Sequence, residues 1–232
     1  MPMLQESTPG YTVRFKGIVF DFNGVLWWDT PLQEQAWQEY SARLRGAPLS
    51  REELALHTYG RPNRHTLEYL LGQPLSDSQV WQMVQEKEGL YRALCLELGE
   101  GFRLSPGAAE LLDYLAQRAI PRTIATASEK TNLDFFFQHL DLGRWFSLEL
   151  VVYDDGLLPG KPAPDIYLQA AARLGLRPTE CVVVEDSLSG LQAARAAGAG
   201  YLIALNPTQA HLPVAVDEIL DSLADFPRER LF

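Results

Sequence analysis

Apolar positions in this chain keep two different spacings, and the points where one gives way to the other divide it into blocks. Phe15 to Phe22 is a nearly unbroken apolar run of strand length, stopped at once by Gly24, which predicts a strand buried on both faces with Asp21 at its end. From Pro31 to about Gly99 no run supports a strand. Apolar residues there recur at helical spacing through Leu32 to Leu44, Arg51 to His57, Arg64 to Leu71 and Ser76 to Leu98, with Pro48, Gly60, Pro62, Gly72 and Pro74 as breaks. Beyond Ser105-Pro106-Gly107 the pattern alternates. A helix to about Ala119, a strand Arg122 to Ala127, a helix through Phe135 and a strand around Leu148 to Tyr153 come first. A helix Pro164 to Leu174, a strand Cys181 to Val184, a helix through Ala197 and a strand Tyr201 to Leu205 follow. Repeated strand and helix units of this kind predict an α/β fold, a parallel sheet covered by helices on both faces. The expected division is a core of residues 1–30 and 101–232 with a helical block, 31–100, inserted into it.

Composition narrows the classes of function. With 232 residues, 47% of them hydrophobic and 22% charged, the chain is long enough for a large core, and extended disorder is not expected. Twenty basic against 30 acidic residues give a net charge of -10, which repels nucleic acid and anionic membranes, so neither is an expected partner. A small anionic substrate would need a locally positive site. Cys95 and Cys181 lie far apart in unlike patterns and read as buried thiols rather than a disulfide. No apolar run reaches the length of a membrane span, and Met1 to Gly10 lacks the apolar segment of a signal peptide. A cytoplasmic monomer is the expectation.

Polar residues cluster where the predicted strands end, the place at which open parallel sheets bind ligands. Besides Asp21 these are Thr126 and Ser128, Lys161 in Gly160-Lys161-Pro162, and Glu185-Asp186-Ser187. A carboxylate nucleophile, hydroxyls, a cation and an acidic pair suit a phosphoryl group held beside magnesium, since hard oxygen ligands select that ion. Each also has a plainer reading. Asp21 could form a turn, Thr126 and Ser128 could cap the helix that begins near Lys130, and Lys161 could be a solvated lysine in a proline-rich turn. In the helical block, Arg61, Arg64 and His65 are either surface charges or a substrate-facing loop after Gly60, and Trp37, Tyr40, Trp81 and Tyr91 read as core.

Four segments in this order resemble the haloacid dehalogenase superfamily, in the branch that includes beta-phosphoglucomutase and phosphoglycolate phosphatase-like enzymes. They are Val19-Phe20-Asp21-Phe22-Asn23-Gly24-Val25-Leu26, Ile124-Ala125-Thr126-Ala127-Ser128, Lys161-Pro162-Ala163-Pro164-Asp165-Ile166-Tyr167, and the run from Val184-Glu185-Asp186-Ser187 to Ala194. The resemblance covers nearly the whole chain. It implies a Rossmann-like core, a cap formed by the helical block with hinges near Pro31 and Gly101, and a phosphatase of small phosphorylated metabolites. It further implies Asp21 as the nucleophile that becomes an aspartyl-phosphate, Thr126 on the phosphoryl oxygens and Lys161 stabilising both. Mg2+ would be held by Asp21, the main-chain carbonyl of Asn23 and Asp186, with Glu185 outside them. Arg61, Arg64, Gln33, Ser128 and Lys130 would face substrate.

Asn23 departs from that pattern. The family's phosphatases and mutases carry there an Asp that protonates the departing oxygen and later activates water. Loss of such a group costs on the order of a hundredfold to ten-thousandfold in rate. Trp28 also stands where Asp is common, and Gln33 where many relatives carry His. Three readings follow: a magnesium-dependent phosphatase specialised for a leaving group that departs easily, such as an acyl or aryl phosphate; a carbon-halogen hydrolase, which needs no acid at position 23; and a non-catalytic protein that binds a phosphorylated ligand.

Overall fold

The computed structural model describes residues 15–59, 61–205 and 213–231. Met1 to Gly10, considered above for a leader segment, and Gly60 lie outside them. Six strands form one sheet: β1 Gly17–Phe20, β2 Arg122–Glu129, β3 Val152–Asp154, β4 Cys181–Glu185, β5 Tyr201–Leu205 and β6 Glu218–Leu220. Their order is β3-β2-β1-β4-β5-β6, and every pairing is parallel. Strand β1 is buried along its whole length because it has a neighbour on either side and helices above and below. Chain order runs outward in opposite directions from β1 and β4, so the crevice between their carboxyl ends is the switch point of the sheet.

Alternation along the strands feeds two apolar layers. Ile18, Phe20, Val182, Val184 and Ile203 point to one, where α5 (Ala108–Gln117) and α6 (Lys130–His139) bring Leu111, Leu112, Leu115, Leu133 and Phe136. Val19, Val183, Leu202 and Ala204 point to the other, against Ile166, Ala170, Leu191 and Ala194 of α7 (Asp165–Arg173) and α8 (Leu188–Ala196). This is the α/β, Rossmann-like architecture the pattern predicts, with helices on both faces.

The inserted block is helical throughout: α1 Thr30–Arg45, α2 Arg51–His57, α3 Asn63–Leu71 and α4 Asp77–Glu97. Helices α2 and α4 start on capping boxes, Ser50 with Glu53 and Ser76 with Gln79, which satisfy backbone groups at both helix entries. Trp37, Tyr40, Leu54, Leu67, Leu70 and Val84 give the block its own core. Its seat on the sheet is apolar too, since Ala36, Tyr91 and Cys95 join the layer over β1. Trp81 is a correction to the expected core set: it is 68% exposed, on the outer side of α4. Both cysteines are buried free thiols. The edge strand β6 and the short α9 (Arg228–Leu231) were not foreseen, being too short to show a period. No helix among the described residues is long and apolar enough to cross a membrane.

Candidate active site

Asp21 follows β1 directly and is buried, and its backbone N–H bonds to the carbonyl of Val184 on β4. Lys161, 3% exposed, donates to Asp21 Oδ1 at 2.6 Å and to Glu185 Oε1 at 2.5 Å. Burial lowers the lysine's proton affinity, but the two carboxylates outweigh it and hold the ammonium charged. Burial pushes the Asp21 carboxyl up to about 7, opposed by Lys161 and reinforced by Glu185. Glu185 has the remaining bonds of a positioning acid. It accepts from the Tyr167 hydroxyl at 3.0 Å, from the backbone N–H groups of Asp186 and Ser187, both at 2.7 Å, and from the Ser187 hydroxyl.

Asp186 is different, because no described donor reaches its carboxylate. Burial, then Glu185 and Asp21, push its proton affinity well up. Asp21, Glu185 and Asp186 place carboxylate oxygens within 4.8 Å of one another. Three carboxylates against one ammonium leave an excess of negative charge among hard oxygen donors, which fits a divalent cation held by Asp21 and Asp186. The chain is shaped for that closeness. Gly24 has φ +81°, and a Cβ there would lie 2.0 Å from Asp186 Oδ2. A Cβ at Gly190 would lie 1.6 Å from Glu185 Oε1. Both glycines are required by packing against the acids, and Gly24 by its turn geometry as well.

Asn23 is held at both ends of its amide. Its oxygen accepts from the Ser128 hydroxyl at 2.7 Å, and its nitrogen donates to Asp29 Oδ2 at 2.6 Å. Asp29 is 1% exposed, and it also accepts from Tyr91 at 2.6 Å, from Gln33 at 3.2 Å and from the Gly24 N–H at 3.2 Å. Burial raises its proton affinity, while the hydroxyl of Tyr91 and the amides of Asn23 and Gln33 oppose that shift. Sequence reasoning passed over this residue, because an Asp before Thr30-Pro31 has the form of a helix cap. It does sit at the cap position of α1, yet its side chain makes no cap bond and turns back to Asn23.

A cavity of about 820 Å3 lies between the sheet and the helical block, lined by Asp21, Asn23, Thr126, Ser128, Lys161 and Asp186 below and by Gln33, Trp37, Arg61, Asn63, Lys87 and Glu88 above. Thr126 and Ser128 come from β2, where the Thr126 hydroxyl accepts the Ser128 N–H. Neither caps α6, whose cap residue, Glu129, makes no side-chain cap bond. Two expected substrate residues are not in the lining. Arg64 is spent on Asp77 at 2.5 Å and on the Leu75 carbonyl at 2.9 Å, which ties α3 to the start of α4. Lys130 pairs with Asp134 one turn along α6. Arg61 and Gln33 do line the cavity. Lys87 and Glu88, also unforeseen, form a buried pair at 3.0 Å. Burial raises the Glu88 carboxyl, but Lys87, Asn132 and Asn63 outweigh it and leave it below the ordinary range.

A model of haloacid dehalogenase-like hydrolases matches residues 15–198. The chain belongs to this family. Within it, the chain is 32% identical to hexitol phosphatase A of Escherichia coli over 213 residues, 91% of this chain and 93% of that protein. A match to the bifunctional riboflavin kinase/FMN phosphatase of Arabidopsis thaliana, 35% identical, takes in 54% of this chain and only 33% of that longer protein. Among solved structures, a haloacid dehalogenase hydrolase of family IA, variant 3, from Entamoeba histolytica superposes with a TM-score of 0.82 at 35% identity, covering 93% of this chain and 96% of its own.

Proposed function

We propose that this chain is a phosphatase of a small phosphorylated metabolite, using Mg2+ and passing through an aspartyl-phosphate, with Asp21 as nucleophile. The observation that carries the reading is the buried Lys161 bridging Asp21 and Glu185 at the cavity floor, beside an acid, Asp186, that no described donor neutralises. The phosphatase names of its relatives support it. Asp21 and Asp186 would hold the cation, which when bound supplies positive charge to a transferring phosphoryl group. Lys161 fixes one oxygen of Asp21 and adds a second positive charge, and the hydroxyls of Thr126 and Ser128 are donors for phosphoryl oxygens. Arg61 meets the same anion from above. The helical block acts as the cap over the cavity, and the Gly160 loop touches it, since a Cβ on Gly160 would lie 2.3 Å from Pro62.

Asn23 shapes the kinetics of this site. An amide neither protonates the departing oxygen nor removes a proton from water, so turnover depends on a leaving group that departs unaided. The test is phosphate release from a panel of phosphate esters with magnesium or with a chelator, in parallel with Asp21→Asn. Release that needs the metal and vanishes in the variant supports the proposal. Halide release from haloacids that survives the chelator would instead establish carbon-halogen hydrolysis.

A further inference from the structure

Four polar side chains of the cavity roof are already committed to one another. Lys87 donates to Gln33 at 2.7 Å and to Glu88 at 3.0 Å, and Asn63 donates to Glu88 at 2.7 Å. Apart from Arg61, the large side chains left open at the cavity are mostly apolar. Leu56 (58% exposed) and Tyr59 (38% exposed) line it from the end of α2, and Leu188 (44% exposed) faces the same space from the first turn of α8. The two sides stay together through the Ser189 hydroxyl, which donates to the Tyr59 carbonyl at 3.4 Å. Deeper in, Trp28 adds an indole ring whose buried Nε1–H meets no acceptor among the described residues. Large apolar side chains left open at the mouth of a pocket are covered when a ligand of like chemistry binds.

We propose that the substrate of this site is an aryl phosphate, a phosphate monoester carried directly on an aromatic ring, with the ring seated among Trp28, Leu56, Tyr59 and Leu188. The inference rests on the phosphatase reading and names its substrate class. Two independent features converge on it. The side chains proposed to seat the ring offer aromatic and aliphatic surface, and the amide at position 23 requires a leaving oxygen of low basicity. A phenolate, whose conjugate acid has a pKa of about 10, is far less basic than an alkoxide. Asp21 attacks phosphorus, and the bond from phosphorus to the aryl oxygen breaks with its electron pair on that oxygen. The phenolate takes a proton from solvent. Water then attacks the phosphorus of the aspartyl-phosphate, its proton passing to solvent, and inorganic phosphate and the Asp21 carboxylate are released.

The experiment compares phenyl, benzyl, ethyl and sorbitol phosphates under identical conditions. Phenyl phosphate should exceed benzyl phosphate at least a hundredfold in kcat/KM, because both carry the ring and only one leaves easily. In Asp21→Asn, phenyl and benzyl phosphates should bind at least tenfold more tightly than ethyl phosphate by calorimetry. Leu56→Ser and Leu188→Ser change exposed positions, so the variants fold, and each should lower the phenyl to ethyl preference in kcat/KM about tenfold. Sorbitol phosphate turned over as efficiently as phenyl phosphate would overturn the inference while leaving the phosphatase reading intact. No phosphate release from any ester would overturn both.

Discussion

Replacing Asn23 by Asp, which by sequence alone would restore the family's acid, should destabilise this protein. The Asn23 nitrogen donates to Asp29 Oδ2 at 2.6 Å, so the substitution sets two carboxylate oxygens at that distance in a site that is 1% exposed at Asp29. Both cannot ionise there, and the pair keeps one proton. An unfolded Asp ionises near 3.9, and holding its proton costs about 1.4 kcal/mol for every pH step above that value, so at pH 7 the cost is up to about 4 kcal/mol. The shared proton forms a strong hydrogen bond that offsets part of this, leaving about 2 to 4 kcal/mol. The sign with pH follows. The pair's folded pKa lies above the unfolded value, so the loss is absent below about pH 4 and grows as pH rises towards the folded value, reaching only about 1.5 kcal/mol at pH 5. Asp29→Asn in the same chain returns an amide opposite the new carboxylate and should recover most of the stability. Urea denaturation of the parent, both single variants and the double variant at pH 5 and pH 7 gives the coupling directly. A single Asn23→Asp variant as stable as the parent at pH 7, or a coupling below about 0.5 kcal/mol, would refute this account of the pair. Phosphate release should follow the same logic, with little gain in the single variant, whose proton is bound to Asp29, and a gain on the order of a hundredfold or more in the double variant.

Lys161→Met should cost about 3 to 5 kcal/mol in chemical denaturation at neutral pH, because it strands Asp21 and Glu185 without their shared cation. The deficit should shrink as pH falls and the acids take up protons; a deficit that does not vary with pH would count against it. Magnesium binding measured by calorimetry should tighten between pH 6 and pH 8, since a cation displaces the proton that burial favours on Asp21 up to about 7, and equal affinities would remove Asp21 from the ligand set. Arg61→Ala should raise KM for a phosphate ester about tenfold, whereas Arg64→Ala should leave KM within about twofold and instead lower thermal stability by about 1 kcal/mol, because only Arg61 lines the cavity. The reverse pattern would place the wrong arginine in the site.

Much of this architecture is legible along the chain because it depends on local periodicity. Strand Tyr201–Leu205 and helix Arg51–His57 have the bounds their patterns predict, and Gly24 and the Ser76 capping box mark the boundaries of their elements by chemistry confined to a few residues. The strand-end positions of Asp21 and Glu185 were legible for the same reason, since a parallel sheet presents its carboxyl ends together, whereas Lys161 reaches them from the loop between β3 and α7. Three-residue β6 carries too few positions to show a period, and it forms on the edge offered by β5. Trp81 shows the opposite failure: helical spacing says which residues share a face, but not which face meets the sheet.

The sequence by itself determined the parallel α/β core, the run of helices that follows the first strand and the residue types at the strand ends, because backbone period and short-range turn chemistry are written in neighbouring residues. Only the tertiary structure decided what those side chains do to one another. Arg64 and Arg61 are three positions apart, yet one ties two helices together and the other faces the cavity. Asp29 has the sequence of a helix cap and the position of a buried partner to Asn23, reached from Tyr91 across 62 residues of chain. Burial and donor geometry fix the charge and reach of each group, and both come from contacts distant in sequence. Asn23 is thus an amide held at both ends, by Ser128 and by Asp29, through contacts that its immediate neighbours in the sequence do not disclose.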